Sequence, residues 1–408
     1  MKKVIVIGAG PAGMMAAITA AKCNNSVILL ESNERIGKKL FITGKGRCNV
    51  TNQKDISEFF DYIPGNPHFL YSALYTYTNE DTISFFESQG IKLKTERGGR
   101  VFPLSDKSSD IIKGLSNELI KNNVELKLNS KVTKIDFSCN EIKSIEINNS
   151  YIMKGDYFII ATGGVSYPLT GSTGDGIKFA KELGHNIINL KPSLVPIELK
   201  NSKEFAELVG LTLKNIELTL FQREVKKSFY KEQGELLFTN YGISGPLVLK
   251  CSRYLAQDKK YIVGIDLKPA LSHDDLDKRI QKDFKKFINK DFKNSLDDLL
   301  PKKLISFIIK KSGISENKKV NEITKEERKK LVGLIKNITF EIKGLRPIEE
   351  AIVTSGGVNT LEIDSSTMKS KIINNLSFAG EVIDVDAFTG GYNVQIALST
   401  GFLAGNNI

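Results

Sequence analysis

The sequence predicts an α/β fold in which a parallel-sheet domain is interrupted by an inserted β-barrel and a helical region. Residues 3–31 read as strand, glycine turn, apolar helix and strand, which is the pattern of a βαβ unit. From Pro192 onward the pattern changes to alternating segments typical of antiparallel strands. Residues 376–405 return to strand, glycine loop and apolar helix, so we expect the C-terminus to complete the first domain.

The predicted domain limits follow these changes of pattern. In chain order, the N-terminal part of the parallel-sheet domain, the insertion and the C-terminal part cover 1–190, 191–348 and 349–408. Within the insertion we expect the barrel at 191–271 with a return near 337–345, and the helical part at 272–336. Two helix starts in that part carry box-like caps: Ser272 with Asp275, and Thr324 with Glu327.

Composition indicates a soluble cytoplasmic protein of enzyme size. The chain has 408 residues, of which 41% are apolar and 26% charged, and no apolar run is long enough to span a bilayer. Its four cysteines show neither CxxC spacing nor a disulfide framework. None of its three histidines has metal-ligand or triad spacing, so we expect no metal site and no Ser-His-Asp hydrolase.

The positive charge is concentrated in the insertion. The whole chain carries +11, but residues 191–348 hold 33 Lys+Arg against 21 Asp+Glu, a net of +12. The rest of the chain holds 25 against 26, a net of −1. A uniform bias toward lysine would have spread the excess, so one interpretation is a basic domain that faces phosphate groups. Solvated lysine surfaces are the alternative.

A dinucleotide-binding fingerprint lies in the first turn of the chain. Gly8 permits the tight turn, Gly10 lets a pyrophosphate approach the backbone, and Gly13 lets the helix pack on the strand. Glu31 ends the next strand and is placed to accept hydrogen bonds from ribose hydroxyls. The fingerprint therefore predicts a bound dinucleotide, NAD or FAD.

The C-terminal motif FAGEVIDVDAFTGGYN favours FAD over NAD. An apolar strand leads into Gly380 and Glu381, and GGYN at 390–393 opens an apolar helix. FAD is held along its whole length by a second, distant segment, and the amides of a helix N-terminus there stabilise the reduced, anionic flavin. The sequence has no second complete GxGxxG unit, so we expect NAD(P)H to bind only transiently, as the reductant.

The stretch GKKLFITGKGRCNVTN at 37–52 carries four cations, three glycines and no acid. The glycines let the backbone lie close to a ligand, and the cations can offset pyrophosphate charge or hold an anionic substrate. Cys48 is a candidate proton donor to carbon, and we expect the nearby cations to lower the pKa of its thiol. Burial as a small packing residue is the alternative for Cys48.

Together, GAGPAG, GKKLFITGKGRCNVTN, GELLFTNYGISGP, TSGGV and FAGEVIDVDAFTGGYN resemble the BaiN/RdsA family of FAD-dependent oxidoreductases, which includes aminoacetone-oxidase-like flavoproteins. The resemblance runs nearly the full length and implies a two-dinucleotide-binding-type flavoprotein, with a Rossmann-like FAD domain and the inserted barrel and helices. It also implies that Arg47, Cys48 and Asn49 lie nearest the isoalloxazine and are the catalytic candidates. Asn240 stands where family members often have histidine, so any scheme that uses that histidine as an acid or base is in doubt here.

The motifs and the resemblance give one set of predicted FAD-binding residues. In chain order the set is Gly8, Gly10, Pro11, Ala12, Gly13, Glu31, Ser32, Lys39, Thr43, Gly44, Gly46, Arg47, Cys48, Asn49, Val132, Ala161, Thr162, Gly163, Gly380, Glu381, Asp386, Gly391, Tyr392, Asn393 and Val394.

The resemblance implies an NAD(P)H-driven reductase that passes hydride from flavin N5 to an electron-poor C=C bond. The substrate classes it implies range from enone-containing steroids to a uridine of ribosomal RNA, reduced to dihydrouridine. The basic insertion favours the RNA base, with ribosomal RNA as the partner. Two other functions stay open at this point: an amine oxidase that uses O2, and an RNA-binding protein whose FAD is structural.

Overall fold

The computed structural model describes residues 1–225, 227–256 and 259–408. These residues form two compact units. The first unit comprises Met1–Ser193 and Ile348–Ile408, and the second comprises Leu194–Pro347.

Strands and helices are distributed over both units. The strands are, in chain order, β1 (Lys3–Ile7), β2 (Ser26–Leu30), β3 (Thr51–Asn52), β4 (Leu93–Glu96), β5 (Arg100–Pro103), β6 (Glu125–Lys127), β7 (Val132–Ser138), β8 (Glu141–Ile147), β9 (Tyr151–Met153), β10 (Tyr157–Ile160), β11 (Ile187–Ser193), β12 (Ile197–Leu199), β13 (Thr212–Gln222), β14 (Ser228–Phe238), β15 (Gly242–Ser244), β16 (Tyr261–Asp266), β17 (Ile338–Leu345), β18 (Val353–Val358) and β19 (Leu376–Phe378). The α-helices are α1 (Pro11–Lys22), α2 (Lys38–Gly46), α3 (Tyr71–Thr76), α4 (Asn79–Glu87), α5 (Ser108–Lys121), α6 (Asp175–Glu182), α7 (Ser202–Phe205), α8 (Pro246–Ser252), α9 (His273–Lys286), α10 (Lys302–Ser312), α11 (Lys325–Lys336) and α12 (Tyr392–Asn406). Short 3₁₀ helices cover Ile56–Tyr62, Pro67–Leu70, Pro168–Thr170, Ala206–Leu208, Phe292–Asn294, Val320–Glu322, Ile348–Glu350, Thr360–Glu362 and Gly380–Val382.

The first unit is built on a five-stranded parallel sheet with the strand order β19-β10-β1-β2-β6. Its inner strands are apolar because both faces are covered, and every residue of β1 after Lys3 is buried. Because all five strands run in the same direction, their carboxyl ends lie along one edge of the sheet. That edge is where ligands bind in open parallel sheets.

The two ends of the chain pack together through α1 and α12. A Cβ atom added at Gly401 would overlap the carbonyl oxygen of Ala12, and one at Gly405 would overlap that of Ala16. Only glycine therefore allows the two helix backbones to approach so closely. The C-terminal helix and the first βαβ unit share one hydrophobic core.

Three smaller antiparallel sheets complete the first unit. They have the orders β3-β5-β4, β7-β8-β9 and β11-β18. The sheet that contains β3 carries the end of the predicted basic stretch, because β3 is Thr51–Asn52.

The second unit contains a closed antiparallel barrel with the order β12-β15-β14-β13-β16-β17. Its helices α9, α10 and α11 join the barrel in a separate hydrophobic core. The Ser272 hydroxyl accepts the Asp275 amide, and Thr324 with Glu327 forms a complete capping box, as predicted. The predicted fold class, a Rossmann-like domain with an inserted barrel and helices, is confirmed. No helix among the described residues is long and apolar enough to cross a bilayer.

Candidate functional site

The glycine turn after β1 lies at the carboxyl edge of the parallel sheet. Gly8 has φ 102°, and a Cβ atom there would lie 2.6 Å from the carbonyl oxygen of Ala161. A Cβ at Gly13 would overlap the carbonyl oxygen of Gly8, so this glycine is needed for the close packing of α1 on the strand. By contrast, a Cβ at Gly10 would meet no described atom within 4 Å. The backbone at Gly10 therefore faces open space in front of the N-terminus of α1.

That helix N-terminus has the features of an anion site. Gly10 is the N-cap, no side chain caps the first-turn amides, and the first turn has no acidic residue. Pro11 stands at the first helical position, and Ala12 and Gly13 follow it. The amides and the positive end of the helix dipole can thus face a phosphate group.

The Glu31 carboxylate is already held by several donors of the chain. Its Oε2 accepts the Ala9 amide at 2.9 Å, and its Oε1 accepts the Asn33 amide at 2.9 Å and the Asn33 side-chain amide at 2.7 Å. The Ser32 hydroxyl also donates to Oε1, at 3.2 Å. Glu31 therefore ties the glycine turn to the loop after β2, and Oε2 retains acceptor capacity for a ribose hydroxyl.

The third strand end at this edge carries an unpaired polar atom. Ala161, Thr162 and Gly163 follow β10, and the Thr162 hydroxyl oxygen is buried without a hydrogen-bond partner among the described residues. This oxygen packs against Gly176 at the start of α6, so it does not mark a ligand position. The open space at Gly10 and the uncapped N-terminus of α1 are the features that fit an elongated ligand such as FAD.

The first part of the basic stretch folds as α2, which contains a kink. The helix begins after Gly37 and is interrupted at Thr43, Gly44 and Lys45, the last two with φ near 60°. The Thr43 hydroxyl donates to the carbonyl of Leu40 at 2.7 Å. Gly44 packs against Asn49, whereas a Cβ at Gly46 would meet open space.

Lys39 joins three separate segments of the first unit. Its ammonium donates to Glu381 Oε2 at 2.7 Å and to the Ser166 hydroxyl at 2.6 Å. Glu381 Oε1 accepts the Thr354 amide at 2.7 Å and the Ser166 hydroxyl at 3.1 Å. From the sequence, Gly163 was predicted to bind FAD and the motif TSGGV contributed to the family resemblance, but Ser166 and Thr354 were not singled out.

Arg47 is held by carboxylates of its own unit. Its guanidinium lies 2.8 Å from Glu96 and 3.3 Å from Asp106, and it stacks over the Phe102 ring at 4.2 Å. The hydrogen bond to Glu96 raises the pKa of Arg47. The positive charge of Arg47 is therefore largely balanced before any ligand binds. Its contact with the flavin stays a prediction.

Cys48 does not have the activated thiol that the sequence suggested. The side chain is 0% exposed, and burial raises the pKa of the thiol to about 12, with only a small opposing effect from a hydrogen bond to Thr43. The predicted lowering of this pKa by neighbouring cations is wrong, because burial disfavours the charged thiolate. The backbone at Cys48 has φ 58°, an uncommon value for a residue other than glycine.

Two asparagines connect the basic stretch to the C-terminal glycine pair. Asn52 Nδ2 donates to the Gly390 carbonyl at 2.9 Å. With the Asn49 amide oriented so that both its atoms are satisfied, its oxygen accepts the Gly391 amide at 2.9 Å and its nitrogen donates to Thr51 at 3.1 Å. The two stretches that were predicted to meet at the flavin are therefore neighbours. Asn52 was missed because its role depends on this long-range contact.

Most side chains of the motif FAGEVIDVDAFTGGYN make contacts within the protein rather than facing a ligand. Asn393 donates to the carbonyl of Ala387 at 2.6 Å and accepts its amide at 2.9 Å. Tyr392 is buried and stacks on Tyr62 with ring centroids 4.6 Å apart. Asp386 Oδ2 accepts the Ser193 hydroxyl at 2.8 Å.

Other parts of this motif remain available to a ligand. Val394 is half-buried in the first turn of α12, and that turn has no acidic residue. No side chain caps the amides of this turn, and its N-cap, Gly391, has φ 98° and packs against the Thr51 backbone. Gly380 follows β19 at the same sheet edge.

Val132, also in the predicted FAD-binding set, does not lie at the carboxyl edge of the parallel sheet. It begins β7, in the separate sheet β7-β8-β9, and is buried. The chain just before it runs beside the end of β2, where the Ser130 amide donates to the Glu31 carbonyl at 2.8 Å. In the part of the chain that the structure describes, no group of three His, Cys, Asp or Glu could hold a metal ion.

Comparisons with known proteins cover the whole chain. The profile of the family described as HI0933-like protein Rossmann domain matches residues 2–407. A ribosomal RNA dihydrouridine synthase of Haemophilus influenzae is 35% identical over 98% of this chain and 96% of its own. A 3-dehydro-bile acid delta(4,6)-reductase of Clostridium scindens is 31% identical over 99% of this chain and 98% of its own.

A solved structure is similar in fold. The 3-ketosteroid delta1-dehydrogenase of Sterolibacterium denitrificans aligns over 99% of this chain and 98% of its own, with a TM-score of 0.52 and 13% identity. At that identity the likeness concerns the fold alone.

Proposed function

The chain belongs to the HI0933-like Rossmann family of FAD-dependent oxidoreductases, and from this premise we propose that it is an NAD(P)H-driven reductase of an activated C=C bond. One observation carries the proposal: two relatives that match along the full chain have names that both describe hydrogen added across a carbon–carbon double bond. We take a uridine of ribosomal RNA as the substrate. The +12 charge of residues 191–348 suits a polyanion better than a largely apolar steroid.

In this proposal the carboxyl edge of the parallel sheet holds FAD. The amides at the N-terminus of α1 bind the pyrophosphate, and Gly10 leaves room for it. Glu31 binds the ribose through the free capacity of Oε2. Bound FAD would supply the hydride at N5.

Residues of the basic stretch then shape the substrate side. Asn49 and Asn52 fix the backbone of the Gly390–Gly391 pair, and that backbone sets the direction of the α12 N-terminus. Arg47 stays an active-site candidate, as a guanidinium positioned by Glu96 and Asp106. Cys48 remains protonated at neutral pH because of its raised pKa, and its burial favours a packing role.

Anaerobic mixing tests the reaction type. We expect NADH or NADPH to bleach the visible absorbance of the flavin, and a ribosomal RNA fragment added next to restore it while one uridine gains two hydrogen atoms in mass. Bleaching by small amines with peroxide release, and none by NAD(P)H, would instead establish an oxidase. RNA binding without any flavin turnover would establish a structural FAD.

A gene deletion tests the substrate in the cell. We expect ribosomal RNA from the deletion strain to lack one dihydrouridine, and the wild-type gene to restore it. Unchanged dihydrouridine in a strain with no redundant enzyme would contradict the RNA substrate.

A further inference from the structure

We propose that one face of the second unit, formed by α9 and α11, binds the phosphate backbone of RNA. We call it the lysine face and define it by five residues: Lys278, Lys282, Lys285, Lys325 and Lys329. The inference rests on the proposed function, which gives RNA as the substrate, and it identifies the surface that would hold that RNA.

The spacing on α9 places three lysines in one exposed stripe. Lys278, Lys282 and Lys285 are exposed and follow one another at intervals of four and three residues, which share one side of an α-helix. Leu276 and Ile280 are buried on the other side of the helix. The three ammonium groups therefore project away from the core, with neighbouring Cβ atoms about 5–6 Å apart.

The stripe continues onto α11 because the two helices are neighbours. Arg328 of α11 donates to Asp277 of α9, with Nε 2.7 Å from Oδ1. The Arg328 guanidinium lowers the pKa of Asp277, and the charge of Lys329 adds a smaller effect in the same direction, so the exposed Lys329 lies near α9. Lys325 precedes Lys329 by one helical turn and is also exposed.

Most cations of this face have no acidic partner. Among the described residues, Lys282, Lys285, Lys325 and Lys329 form no ion pair, and Lys278 has only a 4.0 Å contact with Asp275. Some other lysines of the helical part are paired locally, with distances of 3.1 Å for Lys310–Glu207, 2.7 Å for Lys318–Glu327 and 2.6 Å for Lys286–Asp298. Among the described residues of that part, Lys290, Lys293, Lys302, Lys303 and Lys330 also form no ion pair, but they lie outside the defined face. Unpaired lysines can exchange their counterions for phosphate groups without breaking a pair.

The helix dipole does not explain why lysines occupy these five positions on α9 and α11. Lysines in the last turn of a helix stabilise its negative end, which would explain Lys285 of α9. Lys278 and Lys282 lie before that turn, and Lys325 lies at the N-terminal end of α11, where a cation is unfavourable. A role toward an external anion explains all five positions.

Salt-dependent binding of a fluorescent ribosomal RNA fragment tests the lysine face. The test variant is K282Q/K285Q/K329Q, in which glutamine removes charge at little cost in helix propensity. The matched control is K107Q/K113Q/K134Q, which removes the same charge from exposed positions of the first unit. Unchanged circular dichroism and flavin absorbance show that both variants are folded.

We expect the slope of log K against log salt concentration to become shallower by about two to three in the test variant, and affinity at low salt to fall by about tenfold or more. We expect the control to bind as the wild type does. A test variant with the wild-type slope would overturn the lysine face and leave the proposed function standing. Equal competition by polyglutamate and RNA would overturn it in favour of an acidic protein partner.

Wild-type protein that does not bind RNA would overturn both the lysine face and the RNA substrate. If NAD(P)H still bleached the flavin of that protein, the reductase itself would stand. Failure of the face and failure of the reaction type are therefore distinguishable.

Discussion

The ammonium of Lys39 lies 2.7 Å from Oε2 of Glu381, which is 342 positions away in the chain. The pair joins the basic stretch to the segment after β19, and both side chains are only about a fifth exposed, at 21% and 20%. Ser166 and the Thr354 amide complete the shell around the same carboxylate. The contact therefore fixes the distance between the two stretches that are proposed to enclose FAD.

Replacing Lys39 by methionine should weaken FAD binding by about tenfold, or about 1.4 kcal/mol. The change leaves the Glu381 carboxylate half-buried without its cation and frees the basic stretch. Titration of the apoprotein with FAD, followed by quenching of flavin fluorescence, measures the effect. Lys113→Met, on an exposed position of α5, is the control and should bind FAD normally. Equal affinity in both variants would contradict the role of the pair.

Two glycine substitutions separate ligand binding from folding. In Gly10→Ala the added Cβ atom would meet no described atom within 4 Å, and Gly10 has φ −77°, which alanine readily adopts. The free energy of unfolding of the apoprotein should therefore change by less than about 0.5 kcal/mol. The same Cβ would occupy the space proposed for the pyrophosphate, so FAD affinity should fall at least about tenfold. Gly13→Ala overlaps the Gly8 carbonyl and should destabilise the apoprotein by about 3 kcal/mol.

Urea denaturation of the apoproteins and FAD titration of Gly10→Ala check both expectations. Normal FAD binding by Gly10→Ala would mean that no ligand approaches this turn. A stable Gly13→Ala would mean that α1 can move away from β1 at little cost.

Cys48 should behave as a buried, unreactive thiol. Iodoacetamide at pH 8 should label the exposed Cys23 and Cys139 in the native protein and leave Cys48 and Cys251 unmodified, as peptide mass spectrometry can determine. Cys48→Ala should retain both flavin reduction and substrate reduction within about threefold. Normal flavin reduction combined with loss of substrate reduction would instead identify Cys48 as the proton donor.

The sequence predicted those parts of the fold that are marked by a hydrophobic period or by a short motif. The βαβ unit, the caps at Ser272 and Thr324 and the long barrel strands all follow from such signals. The strand β14, however, runs from Ser228 to Phe238 without a break at Gly234. The strands β12 and β15, which help to close the barrel, have three residues each, and three residues are too few to show an alternation.

The parts of the site that were not predicted depend on long-range contacts. Arg47 finds Glu96 and Asp106 at 49 and 59 positions along the chain, in segments without a motif. The sequence around Cys48 showed the cations but not the burial that raises the pKa of its thiol. Glycines that permit a turn could be named in advance, whereas Ser166 and Thr354 gain their roles only when separate loops meet.

The stability of the protein should fall as the pH drops below 6.5, because His185 is held neutral. Its ring lies in the core of the first unit, with Nδ1 3.2 Å from the Ala180 carbonyl and Nε2 2.8 Å from the Ser370 hydroxyl. The Ser370 oxygen already accepts the amides of Ile372 and Ile373, so its proton points at Nε2 and leaves no acceptor for a second ring proton. Burial lowers the pKa of His185 from its ordinary value of 6.5.

Between that lowered pKa and 6.5, the unfolded chain binds a proton that the native protein does not. The free energy of unfolding therefore declines by up to about 1.4 kcal/mol per pH unit as the pH falls. Urea midpoints at pH 7.5 and 5.5 should differ in the wild type and in His68→Gln, an exposed control, but less in His185→Gln. An equal difference in all three proteins would place the pH dependence elsewhere.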